Sequence, residues 1–112
     1  MTILKNSFEQ HNAKVTSMWL QPKLIGLEDI VGSVKEFNLF RTDGDLYRQP
    51  DNVMFDYKNK IIYNIEYKLH DHQRLKAIKQ LHDSHNVLSK LFRSYDVVNL
   101  YIHDDYQIER VS

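Results

Sequence analysis

The sequence predicts an α/β domain, a mixed sheet flanked by helices, with elements in the order helix, three strands, helix, strand. Three observations predict it. Residues 52–57 and 61–68 are rich in β-branched and aromatic side chains and flank the polar break Lys58-Asn59-Lys60, the pattern of a hairpin. Residues 72–93 place Leu75, Ile78, Leu81, Leu88 and Leu91 on one helical stripe, with charged residues elsewhere. Residues 97–103 are an apolar run bounded by polar residues, as a buried strand is.

The remaining elements are read in turn. Residues 3–11 suit a short helix, and 14–20 a strand or an extended arm, with Pro22 interrupting any regular element. Residues 27–37 read as a helix, because Leu27, Ile30, Val31 and Val34 recur at helical spacing, although Gly32 weakens it. Residues 37–41 suit a short strand, Thr42-Asp43-Gly44-Asp45 a turn, and 46–48 an extension of the sheet. Pro50 fits a strand start, where its missing N–H is tolerated. Asp71 is the expected N-cap of the long helix.

At 112 residues the chain makes one domain, 1–112, with 26–103 as its core and 1–25 as an N-terminal extension. The content of 42% hydrophobic and 27% charged residues is that of an ordinary globular protein. No apolar stretch approaches the ~20 residues that span a bilayer, so no membrane partner is expected. The first residues lack a signal-peptide pattern, and the chain has no cysteine. A cytoplasmic location is therefore the default, without disulfides or a thiolate metal site. The formal net charge of zero counts against strong nonspecific binding to nucleic acid. The charge is nevertheless uneven. Arg74, Lys76, Lys79, Lys90 and Arg93 face only Asp71 and Asp83 within 71–93, whereas 94–112 are acidic. A phosphate backbone could track that basic helix.

The hairpin brings chemistry together. A two- or four-residue connection between its strands sets Asp51 opposite Glu66, with Cβ atoms about 4.5–5.5 Å apart. Two carboxylates at that distance repel, and a hard divalent cation would relieve the repulsion. Lys68 lies two residues beyond Glu66 and so on the same side of the strand. The same register sends Asp56 to the other face, and a three-residue loop would reverse that choice.

Pro50-Asp51 and Glu66-Tyr67-Lys68, in this element order, resemble the PD-(D/E)xK nuclease superfamily, over roughly residues 26–103. The resemblance implies a restriction-endonuclease-like αβββαβ core. It also implies a Mg²⁺- or Mn²⁺-dependent nuclease, with Asp51, Glu66 and the Tyr67 carbonyl as metal ligands. Lys68 would orient or activate the attacking water. An acidic residue of the preceding helix often completes such sites, and Glu28 and Glu36 are both candidates. Gln73, at the start of the long helix, stands where several such families place a glutamine near the metal or scissile phosphate. Arg48, His72, Arg74, Lys76 and Lys79 are the candidate nucleic-acid contacts.

Plainer readings stand beside these. Alone, Asp51 is a turn residue after proline, Lys68 the structural ion-pair partner of a buried Glu66, and Gln73 an exposed first-turn residue. His70, His72, His82 and His85 cluster around the long helix. Without an HExxH arrangement they read as solvated or phosphate-contacting rather than as zinc ligands. The expected activity is hydrolysis of DNA phosphodiesters, endonucleolytic, by a homodimer whose contact uses the N-terminal segment and Trp19. The alternatives are a non-catalytic nucleic-acid or protein-binding module on the same fold, and a nuclease subunit active only within a larger complex.

Overall fold

The structure is a computed structural model that describes residues 6–40 and 46–112, with the backbone alone described at 40 and 46–48. It is α/β. A five-stranded mixed sheet has the order β1 (Gly32–Lys35), β4 (Asn52–Asp56), β5 (Ile61–Lys68), β6 (Asp96–His103), β7 (Gln107–Val111). Helix α1 (Ser7–Leu20) covers one face and α2 (Arg74–Leu91) the other. A small antiparallel ribbon, β2 (Leu39–Phe40) with β3 (Leu46–Arg48), is inserted between β1 and β4. The expected turn at 42–45 lies outside the described residues.

The hairpin forms in the expected register. Asp56 pairs with Ile61 and Asn52 with Ile65, across a four-residue connection in which Lys60 takes a positive φ of 55°. β5 then pairs β6 in parallel, because α2 carries the chain over the sheet between them. Strand alternation divides the core in two. Met54, Ile65, Tyr67 and Ile102 pack with Val15 and Met18 of α1. Val53 and Ile62 pack with Leu88, and Tyr101 with Ala77 and Leu81, all on α2.

Several expectations are corrected. Residues 14–20 are helical, and Val15, Met18 and Ile25 are buried against the sheet. Asn6 caps α1 by accepting from the Glu9 N–H at 2.9 Å, and Met18 is fully buried. Burying one such side chain contributes about 1.5–3 kcal/mol, more than the few tenths lost by placing Val15 and Thr16 in a helix. Residues 27–37 are not helical. A 3-10 turn, Pro22–Ile25, ends at Gly26 with φ 76°, and the chain then forms β1. The competing demand is on β4, whose five residues are all buried and whose outer backbone groups need a partner strand. β1 supplies it.

The stripe on α2 is also shifted. Its buried residues are Ala77, Leu81, Ser84 and Leu88, while Leu75 is 78% and Leu91 60% exposed. Small side chains at 77 and 84 seat the helix over Tyr101 and Asn64, and Asn64 Nδ2 donates to the Leu81 carbonyl at 3.1 Å. Asp71 is not the N-cap of α2. It opens a 3-10 turn, Asp71–Gln73, and its carboxylate accepts from Tyr101 Oη at 2.7 Å. Finally, β7 adds an edge strand beyond the expected core. It is reached through the turn Asp104-Asp105-Tyr106, where Asp104 and Tyr106 have positive φ.

Candidate metal centre

The carboxyl end of β5 gathers the candidate site. Asp51 stands just before β4, one step past the last ladder pair, Asn52 with Ile65. Its carbonyl accepts from the Glu36 N–H at 3.0 Å, and its side-chain Oδ2 accepts from the Tyr67 N–H at 2.7 Å. The carboxylate thus replaces a main-chain acceptor where the ladder ends, which fixes it against β5. Continuing the register sets Asp51 beside Glu66, which is only 5% exposed.

The third contributor comes from α1. His11 shares the inward stripe of that helix with Val15 and Met18, so its ring is carried onto the sheet end. Its Nε2 lies 3.0 Å from the Tyr67 carbonyl oxygen and 3.4 Å from Asp51 Oδ2. The ring also rests against the Tyr67 ring, centroids 5.6 Å apart. The Asp51 carboxylate raises the His11 pKa above its ordinary value, against the opposing effect of burial. Tyr67 itself is pushed up to about 12, first by burial, and its hydroxyl donates to the Asp104 carbonyl.

These positions fit a divalent cation. His11 Nε2 donates to the Tyr67 carbonyl at 3.0 Å and would give up that proton to join Asp51 and the carbonyl as a ligand. Asp51 Oδ1 accepts no hydrogen bond among the described residues and keeps lone pairs for a ligand. Among the described residues no three His, Asp or Glu side chains form a ready cage. The donor set is instead two side chains and a main-chain carbonyl, with Glu66 on the adjoining face. An imidazole nitrogen among oxygens suits Mn²⁺ better than Mg²⁺.

Lys68 closes β5 on the α2 face, beside Glu66, and pairs in register with His103 of β6. Among the described residues no ion pair or hydrogen bond engages its ammonium. That disfavours its reading as the structural partner of Glu66.

The other candidates divide. Glu36 is next to Asp51 through its backbone, exposed and with φ 56°. Glu28 is not brought there. It lines a cavity with Asp56, Asn59 and Tyr63 at the opposite end of the hairpin. Gln73 precedes α2 and is exposed, as are His72, Lys76 and Lys79. Arg74 is engaged: its Nε donates to Glu109 Oε1 at 2.9 Å and its Nη2 to Oε2. Lys79 reaches Asp83 at 3.4 Å. Arg48 lies on β3, where only the backbone is described. Trp19, 37% exposed, donates its indole N–H to the Ser33 carbonyl at 2.7 Å and so ties α1 to β1 within the chain.

Reading the residues in order missed His11. The signal was there in principle: a helix over 7–20 sets 11, 15 and 18 on one face, but splitting that segment hid the stripe. His103 was missed as well, since it closes an apolar strand and carries no motif. No helix is long and apolar enough to cross a membrane among the described residues. No protein-family model, curated protein or solved structure matches the chain.

Proposed function

We propose that the chain is a metal-dependent nuclease of PD-(D/E)xK type acting on DNA. The observation that carries this reading is the meeting of Asp51 Oδ2, the Tyr67 carbonyl and His11 Nε2 at the end of the strand that also bears Glu66 and a Lys68 unengaged among the described residues. Leaving aside the β2–β3 insertion and the edge strand β7, the order α1, β1, β4, β5, α2, β6, with β5 and β6 parallel, supports the restriction-endonuclease-like core that the resemblance implies. So does the position of the site, at the carboxyl ends of β5 and β6, where α/β folds bind ligands.

Asp51, Glu66, His11 and the Tyr67 carbonyl would hold Mn²⁺ or Mg²⁺. When bound, such an ion polarises a phosphodiester oxygen and makes nearby water more acidic. The protein supplies the rest. The Tyr67 N–H holds the Asp51 carboxylate in one orientation. Lys68 orients the attacking water and offsets the charge that builds on the phosphoryl oxygens, an electrostatic contribution of about 10²–10³ in rate. His72, Gln73, Lys76 and Lys79 are exposed at the start of α2 and along it, and would meet the flanking phosphates.

Cleavage of a labelled DNA panel (linear duplex, single strand, four-way junction, flap) with Mn²⁺ tests the reading, comparing wild type with Lys68→Ala. Metal-dependent cutting that is lost in the variant is expected. Equal cutting by both would overturn it in favour of a contaminant or a different site, and none by the wild type in favour of a binding module or a subunit that needs its partner.

A further inference from the structure

Lys68 has a neighbour that the mechanism above leaves unused. His103 stands opposite it on the adjacent parallel strand, so strand alternation puts both side chains on the α2 face, about 5 Å apart at their base. His103 Nδ1 lies 2.5 Å from Asp104 Oδ2. Its ring stacks on Tyr101 with centroids 5.1 Å apart and planes 23° apart. Tyr101 is itself anchored, donating its hydroxyl to Asp71 Oδ1 at 2.7 Å. The imidazole is thus fixed both in plane and in rotation.

Among the described residues no hydrogen bond engages the other ring nitrogen. The nearest charged oxygen to Nε2 is Asp71 Oδ1 at 3.9 Å, beyond hydrogen-bond reach, and that oxygen already takes the Tyr101 proton. The side chain is 21% exposed. A carboxylate on Nδ1 keeps the proton there and leaves the Nε2 lone pair pointing outward, the tautomer a histidine base needs. Asp104 is tied to β5 as well. Its N–H donates to the Lys68 carbonyl at 3.3 Å, and its own carbonyl accepts from Tyr67 Oη. The pair is therefore built onto the strand that carries Glu66 and Lys68.

We infer that His103, oriented by Asp104, is the general base that takes the proton of the attacking water. This rests on the nuclease reading. The water oxygen bonds to phosphorus, its proton passes to His103 Nε2, and the ester P–O bond breaks with its electron pair on the leaving oxygen. Solvent then protonates that oxygen and relieves His103 of its proton. The assignment divides the work, because an ammonium donates hydrogen bonds but accepts no proton. Lys68 orients and neutralises, and His103 deprotonates. The titratable and charged groups around His103 are Lys68, His70, Asp71, Arg74, Asp104 and Glu109, and Arg74 and Glu109 are spent on each other.

The test uses the full chain at saturating Mn²⁺, in single turnover, on the panel DNA that the wild type cuts. His103→Gln should slow cleavage about 10²-fold while Mn²⁺ affinity, read by electron paramagnetic resonance, stays within about twofold. The rising limb of the pH–rate profile should vanish with it, and added imidazole should restore part of the rate to His103→Ala. Asp104→Asn, tolerated at φ 52°, should slow cleavage about 10-fold. Cleavage by His103→Gln at the wild-type rate, a persisting limb, or a matching loss of Mn²⁺ would each overturn the assignment. Absence of cutting by the wild type would instead remove the nuclease reading beneath it.

Discussion

The two ends of the β4–β5 hairpin each hold an aspartate that accepts a backbone N–H, yet the two are built differently. At the turn, Asp56 takes the Asn59 N–H at 3.0 Å and the Asn59 side-chain amide at 2.8 Å. Both of its oxygens are satisfied within three residues, and the result is a capped turn. At the open end, Asp51 takes the Tyr67 N–H on one oxygen and meets His11, from a helix on the far side of the sequence. An aspartate satisfied locally stabilises a turn. One held by distant elements, with an oxygen to spare, is placed for a ligand.

The comparison is broken most directly at the open end. Asp51→Asn keeps an acceptor for the Tyr67 N–H, so the fold should persist while a charged ligand is lost. Mn²⁺ affinity measured by titration calorimetry should fall at least about 100-fold, since removing even a supporting partner of a metal ligand costs 10–100-fold. Retained affinity in this variant would reduce Asp51 to a strand cap.

His11→Gln is the next largest effect. Glutamine can still donate to the Tyr67 carbonyl but cannot offer an imidazole lone pair. Mn²⁺ affinity should drop about 10–100-fold, and Mg²⁺, which seeks oxygen, should lose less. Equal losses for both ions would show that His11 only braces the carbonyl.

Sequence reading reached these two ends unequally, for a physical reason. Turn chemistry and strand alternation act over a few residues, so the hairpin register, the pairing of Asp56 with Ile61, and the shared face of Glu66 and Lys68 were all legible. Long-range demands were not. Whether 27–37 becomes helix or strand depends on the needs of β4, and Gly32 and the β-branched Val31 and Val34 tipped it to a strand. The place of Glu28 went wrong with that helix. His11 depended on α1 crossing the sheet, and His103 on β6 lying parallel to β5, both tertiary facts without a local signature.

At the turn end the effect should be on stability alone. Asp56→Ala leaves the Asn59 N–H without its acceptor and should lower Tm by about 4 °C. Mn²⁺ affinity should match wild type, read on the same calorimeter. A change in affinity would mean that the two ends communicate through the hairpin, and the contrast between them would fail.

The smallest effect concerns pH. Hydrogen bonds from Asn59 hold the Asp56 carboxyl below its ordinary value of 3.8. The folded state therefore binds this proton less readily than the unfolded chain does. Asp56 contributes its stabilisation in full above about pH 4 and loses it as the pH falls through the depressed folded value. Asp104 and Glu109 are also held low, so acid weakens the whole domain and a single melting curve would mix all three. The difference between wild type and Asp56→Asn cancels the shared part. Its Tm gap should be steady from about pH 7 to about pH 5 and should close towards about pH 3. A gap that stays open in acid would place the turn's stability in packing rather than in the ionised cap. Asp56 would then be no measure of what a locally satisfied carboxylate does.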